Sequence, residues 1–196
     1  MRFGDEDGSA PVVGRRGFLT FGLAALTAAT VPPLLLSPAP AEAAPLLGAS
    51  VRRLSLHNVN TGDRFDGVYW ANGAYRPEAL RVLDNLLRDY RAHQVCRTDP
   101  RLFDLLWQVH QRLESSAPYE VVCGYRSVKT NALARRRSRG VAKESYHTRG
   151  MAVDVRLPDR ALKGVAQQAM ALRMGGVGHY PRSGFVHMDV GPVRSW

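Results

Sequence analysis

Two short stretches carry side chains that could do chemistry together. The first is Ser145-Tyr146-His147-Thr148-Arg149-Gly150-Met151-Ala152-Val153-Asp154, and the second is Phe185-Val186-His187-Met188-Asp189. Imidazoles and carboxylates are the ligands of hydrolytic zinc, which takes three protein groups and keeps one position open for water. His147 falls in a turn with Gly, Ser and Thr around it. Asp154 falls in the apolar run Met151-Ala152-Val153-Asp154-Val155, which reads as a buried strand. A charged carboxylate in such a strand is costly unless it is paired or bound to metal. On a strand, residues two apart share a face, so His187 and Asp189 point one way and Val186 and Met188 the other. The residues alone leave two readings open. Either each His is a hydrogen-bonded structural group and each Asp a turn cap, or His147, Asp154 and His187 together hold one zinc ion.

The elements that must position these groups are legible on either side of them. Residues 52–59 and 64–70 read as two strands joined by the turn Asn60-Thr61-Gly62-Asp63, hence a hairpin. Pro77 opens a helix whose apolar face is Leu80, Leu83, Leu87 and Tyr90. Asp99-Pro100 opens another, with Asp99 as its cap and Leu102, Leu105, Leu106, Val109 and Leu113 as its stripe. His57 and His110 read as structural histidines. Residues 119–123 form a short strand that delivers Gly124-Tyr125-Arg126-Ser127 to its end, and without further support Arg126 reads as a surface ion pair. A helix over residues 130–139 runs into the basic cluster Arg135, Arg136, Arg137 and Arg139, either a solvated face or a rim that attracts peptide carboxylates. A last helix over residues 159–173 is followed by the Gly-rich strand Gly175-Gly176-Val177-Gly178-His179-Tyr180, where the backbone could meet a neighbour or ligand closely. It lacks the Lys-Ser/Thr ending of a phosphate loop. Glu144 is either a solvated residue or one that orients a ligand.

The N-terminal residues are of a different kind. Gly14-Arg15-Arg16-Gly17-Phe18-Leu19 is a twin-arginine export pattern, followed by an apolar run too short for the ~20 residues of a membrane span and by the cleavage-type site Ala41-Glu42-Ala43. Residues 1–43 are therefore expected to be a cleaved signal peptide, residues 44–50 a short linker and residues 51–196 the functional domain. The chain carries 27 Lys and Arg against 17 Asp and Glu, a formal net charge of +10. The N-terminal 43 residues hold three arginines and four acids, so the exported part is no less basic. Such charge favours anionic partners, and the export pattern points to cell-wall polymers or lipid surfaces rather than nucleic acid. Cys96 and Cys123 are too few for a disulfide framework, although an oxidising setting permits one bridge.

Taken in order, Gly124-Tyr125-Arg126-Ser127, then Ser145, His147, Gly150, Ala152 and Asp154 at their spacing, then a strand bearing His187, resemble the LAS-type zinc peptidases. That superfamily includes lysostaphin-like enzymes, D-Ala-D-Ala metallopeptidases and the hedgehog signalling domain. Within it, Ser138 to His147, Gly175 to Asp189 and the ending Gly191-Pro192-Val193-Arg194-Ser195-Trp196 are most similar to the YcbK/MepK-like murein endopeptidases. The resemblance runs from about Arg52 to the C-terminus. It implies an α+β fold in which a small, mostly antiparallel sheet carries the zinc site and three or four helices pack it. It implies that His147, Asp154 and His187 are the metal ligands and that Arg126 binds or polarises the substrate carbonyl.

The chain departs from the family pattern at the general base. Many relatives place Glu, Asp or His two or three residues before the second zinc histidine, where this chain has Phe185 and Gly184. Asp189 is the expected substitute, with His179 as a further candidate. A second alignment, to relatives with a His-x-His pair, would make His187 the base and Asp189 a ligand. The implied activity is zinc-dependent hydrolysis of peptide cross-links in peptidoglycan, by a periplasmic protein exported by the twin-arginine route and acting on peptide stems. A D-Ala-D-Ala-type carboxypeptidase and a non-catalytic wall-binding module are the alternatives. The bond cut would join two diaminopimelate residues, or D-Ala and diaminopimelate.

Overall fold

The sheet is laid down in two blocks, with a pair of helices between them. The structure, a computed structural model, describes residues 50–138 and 140–196. The segment expected to be a signal peptide, nearly all of the expected linker and Arg139 lie outside the described residues. The hairpin forms as β1 (Val51–Asn58) and β2 (Arg64–Ala71), paired antiparallel, with a two-residue β3 (Ala74–Tyr75) on the outer edge. Then come α1 (Pro77–Leu86), α2 (Arg101–Arg112), β4 (Tyr119–Cys123), α3 (Val128–Arg137) and β5 (Ala152–Arg156). The chain closes with α4 (Leu162–Leu172), β6 (Gly176–Tyr180), β7 (Phe185–Asp189) and a two-residue β8 (Arg194–Ser195). The eight strands lie in the order β3-β2-β1-β4-β5-β7-β6-β8, all antiparallel except β1 with β4 and β6 with β8. The expected α+β architecture is the one observed.

One face of this sheet is the core. Leu54 and Leu56 of β1, Val121 of β4, Val153 and Val155 of β5, Val177 of β6 and Val186 and Met188 of β7 are all buried there. Helix α1 packs on β2, α2 on β1 and on α4, and α4 on β6 and β7. Burying one such Leu or Val contributes about 1.5–3 kcal/mol, so the sheet cannot flip a strand without losing several such terms at once. That constraint sends Asp154, His187 and Asp189, the residues between the core positions, to the opposite face.

Helix starts follow their local signals. Pro77 stands at the first position of α1. Helix α2 begins one residue later than expected, at Arg101, while the Asp99 carboxylate still accepts from the Arg101 backbone N–H at 3.0 Å. Helix α1 stops at Leu86 instead of reaching Tyr90. The reason is tertiary: Asp89 forms a bridge with Gln94, and its carboxylate accepts the backbone N–H of Ser127 at 2.9 Å. Ser127 in turn caps α3, accepting from the Thr130 N–H at 3.2 Å. Asp89 thereby holds the start of α3, just after Arg126, against the end of α1. No helix among the described residues is long and apolar enough to cross a membrane.

Candidate metal centre

Each ligand candidate is placed by its own local device. His147 sits in a short 3₁₀ turn, Tyr146–Arg149, whose cap Ser145 accepts the His147 backbone N–H at 3.3 Å. The turn ends at Gly150, with φ of +64°, where a Cβ would come within 2.5 Å of the Arg97 carbonyl oxygen. Only glycine meets both demands. Asp154 is the middle residue of β5, and His187 the middle residue of β7. The two are direct cross-strand partners, so their side chains share a face.

The result is a buried trio. His147 Nε2 lies 3.2 Å from Asp154 Oδ1 and 3.2 Å from His187 Nδ1, and His187 Nδ1 lies 2.9 Å from Asp154 Oδ1. Groups bound tetrahedrally to zinc at 2.0–2.2 Å stand ~3.3–3.5 Å from one another, close to this spacing. The tautomers agree with ligation as well. The far nitrogen of His147 donates to the Gly124 carbonyl oxygen at 2.7 Å, and the far nitrogen of His187 donates to Asp189 Oδ2 at 3.0 Å. Each imidazole therefore turns its lone pair toward Asp154, with its other N–H anchored in the way metal-bound histidines usually are.

Electrostatics point the same way. Burial opposes charge on both groups, yet Asp154 raises the proton affinity of His147 well above its ordinary value. Burial likewise opposes the Asp154 charge, and His147 and His187 still hold its carboxyl far below the usual carboxylate range. Three lone-pair donors this close repel one another unless a proton or a cation sits among them. The residues fit a divalent metal. Cys123 is a near neighbour, with its sulfur within 4.8 Å of the ligand atoms of His147 and Asp154. A register shift in β4 after Val121 pairs Cys123 with Asp154 and so turns it to this face. Its sulfur accepts from Arg126 Nη2 at 3.3 Å, and Cys96 and Cys123 are both free thiols. His187 meets His147 at 3.2 Å and Asp154 at 2.9 Å and is oriented by Asp189.

Arg126 reaches the site. Its guanidinium donates to Asn131 Oδ1 at 3.1 Å and stands 4.0 Å from Asp154 Oδ2, so it is no surface ion pair.

The two base candidates fare differently from the expectation. Asp189 does share a face with His187, but it is fully buried, and five donors occupy its two oxygens: His187 Nε2, both terminal nitrogens of Arg194, and the backbone N–H groups of Gly176 and Gly191. Burial opposes its charge, yet His187 and Arg194 drive its carboxyl far below the usual range. A carboxylate so satisfied and so enclosed is a poor acceptor for a proton from water. It also lies behind the His187 ring, away from His147 and Asp154, an arrangement unlike that of the alternative in which Asp189 is the ligand and His187 the base. His179 stands opposite Val186 in the β6–β7 pairing, whereas His187 stands opposite Gly178. His179 therefore projects from the core side of the sheet, and the fold does not bring it to the trio.

Tyr180, which the sequence places within reach of a substrate, and Glu144 line the walls together with residues that carried no expected role. The trio opens into a cleft of about 710 Å³ lined by Glu144, Tyr146, Tyr180, Arg194 and Trp196, among others. The indole of Trp196 lies over Gly178, where a Cβ would come within 2.7 Å of it, with ring centres 5.4 Å from His187. Its N–H donates to the Tyr180 hydroxyl at 2.6 Å. Arg194 lies 5.0 Å from the rings of both Tyr146 and Trp196. The sequence signal for this wall was the Gly-rich strand, where Gly178 admits the close approach of Trp196.

The role of Asp189 carries a test. Replacing Asp189→Asn removes the charge that orients His187 and lowers zinc affinity by about 10–100-fold. At saturating zinc, kcat stays within a few-fold of the parent, which separates orientation from proton transfer. Chelator competition reads the first quantity and steady-state kinetics the second. A fall of ~10²–10⁴-fold in kcat at saturating zinc would return Asp189 to the role of base.

Comparison with known proteins bears on what this centre is for. The family model described as peptidoglycan L,D-endopeptidase MepK matches residues 47–196. The peptidoglycan L,D-endopeptidase MepK of Escherichia coli (strain K12) is 42% identical over 182 residues, covering 93% of this chain and 96% of that protein. The probable peptidoglycan L,D-endopeptidase MepK of Haemophilus influenzae is 47% identical over 146 residues, covering 74% of this chain and 78% of that protein. No solved structure gives a significant match.

Proposed function

The chain belongs to the peptidoglycan L,D-endopeptidase MepK family of LAS-type zinc peptidases, and on that premise we propose that it is a zinc-dependent endopeptidase that hydrolyses peptide cross-links in peptidoglycan. The observation that carries this reading is the buried His147–Asp154–His187 trio, with converging lone pairs, on the floor of an open cleft. The relatives' names favour an L,D bond, such as that between two diaminopimelate residues. The twin-arginine pattern and the cell-wall substrate together support a periplasmic location, reached with residues 1–43 as a signal peptide.

His147, Asp154 and His187 hold the metal in this reading. A zinc ion bound there supplies Lewis-acid polarisation of a carbonyl and lowers the pKa of a bound water toward ~7. Asp189, with Arg194 behind it, fixes the His187 tautomer and ring. Arg126 keeps its proton: burial opposes the charge, but the Cys123 sulfur and the Asp154 carboxylate favour it. It donates to the oxygen that gains negative charge as the carbonyl is attacked. The Tyr146, Tyr180 and Trp196 side chains shape the cleft and narrow its access to water. Glu144 is the one carboxylate that lines the cleft outside the metal trio, among the described residues. We assign to it the proton of the attacking water and its transfer to the leaving amine.

Glu144→Gln tests that assignment without removing a ligand. The expected result is a fall of ~10²–10⁴-fold in kcat, with zinc content unchanged by elemental analysis. A variant with the parent's kcat would place the acceptor elsewhere in the cleft.

A further inference from the structure

A second cavity, of about 450 Å³, adjoins the metal cleft on the far side of Arg126 and Cys123. Arg126, Ser138 and Val141 line both spaces, so one extended ligand can pass from one to the other. The wall opposite Val122 and Arg91 is one face of α3. Lys129, Leu133 and Arg137 stand four residues apart along it and therefore lie in line. All three are exposed, Leu133 by 46%, an apolar side chain set between two cations. Arg91 adds a third positive charge from the far wall, its guanidinium stacked 4.3 Å from the Tyr90 ring. No acidic side chain lines the cavity, and no carboxylate pairs with Arg91, Lys129 or Arg137, among the described residues. Cations on a folded surface usually find acids nearby, at modest gain. Three left without them around an apolar strip make a receptor for a ligand that brings its own carboxylates.

We propose that this cavity is a subsite for the carboxylate-bearing peptide stem that extends from the scissile bond past Arg126. Lys129, Arg137 and Arg91 receive its free carboxylates, and Leu133, Val122 and Ala134 pack on its aliphatic parts. The proposal rests on the endopeptidase reading, because it takes the occupant to be the continuation of the same substrate. It accounts for why a cross-link, with a full stem on each side, would be preferred over a peptide end.

The test compares cross-linked disaccharide-peptide dimers whose stem carboxylates are free with the same dimers amidated. The proteins are the parent and the Lys129→Glu/Arg137→Glu variant. Both substitutions are at exposed positions, and the neutral pair Lys129→Gln/Arg137→Gln gives an intermediate step. For the free-carboxylate dimer, KM is expected to rise about tenfold in the charge-reversed variant, with kcat within twofold. Amidation is expected to raise the parent's KM severalfold, to leave the KM of the neutral pair nearly unchanged and to lower the KM of the charge-reversed variant. Calorimetric binding of the uncleaved dimers to chelator-treated protein reads the same contrast without hydrolysis. A parent that cleaves both dimers with one KM, or a neutral or charge-reversed variant that prefers the free-carboxylate dimer as strongly as the parent does, overturns the subsite. A parent that binds by charge but cleaves neither dimer upholds the subsite and overturns the endopeptidase reading.

Discussion

His187→Ala leaves the protein without zinc and lowers kcat/KM on cross-linked muropeptides by on the order of 10⁴-fold, equivalent to about 5 kcal/mol of lost transition-state stabilisation. The expected loss is large because in the proposed reading His187 is both a metal ligand and the link between the metal and Asp189. Its Nδ1 stands 2.9 Å from Asp154 and its Nε2 stands 3.0 Å from Asp189. Alanine removes one ligand and leaves two buried carboxylates facing an empty space. Part of the Asp189 charge is still met by Arg194 and two backbone N–H groups. The Asp154 charge keeps His147. The variant is therefore expected to fold, with a lower Tm, and to show its defect as loss of metal. Elemental analysis with circular dichroism separates these outcomes. A folded variant that retains activity within tenfold, and that resists chelator, would remove His187 from the metal centre.

Arg126→Ala is the second large effect. It lowers kcat by ~10²–10³-fold, the cost of losing one donor to a developing oxyanion, and leaves zinc content intact. The guanidinium is held by Asn131 and Cys123 on one side and lies 4.0 Å from Asp154 on the other, so it is pre-positioned before substrate arrives. Arg126→Lys is expected to recover only part of the rate. An ammonium carries the charge but cannot span Asn131, Cys123 and a substrate oxygen with one planar fork. Kinetics that show a raised KM with kcat unchanged would assign Arg126 to ground-state binding instead.

The buried polar positions of the proposed site were legible in the sequence because of the apolar runs around them. An Asp in the middle of Ala152–Arg156 and a His in the middle of Phe185–Asp189 are polar residues where core spacing permits none without a partner. The helix starts at Pro77 and near Asp99-Pro100 were legible because capping chemistry is local. What failed to show was anything that depends on register. His179 is near His187 in a list of strands, but the β6–β7 pairing sets it opposite Val186 and so on the core side of the sheet. Asp189 does share the face of His187, as alternation requires. Its role was hidden because the Arg194 guanidinium and the Gly176 and Gly191 backbones reach it only after the sheet has formed. Cys123 is turned to the metal face by an irregularity in β4 that no propensity marks. The early end of α1 is set by Asp89, whose partners are Gln94 and Ser127.

The measurement that tests the central claim most directly is muropeptide mass spectrometry of purified sacculi digested with the purified protein, with and without chelator. The account predicts loss of cross-linked dimers and gain of the matching monomers. Chelator should abolish the change, excess zinc should restore it, and the monomer masses should identify the bond. An unchanged dimer profile from zinc-loaded protein that nevertheless binds the sacculi would contradict it, and would make the chain a wall-binding module built on a peptidase fold.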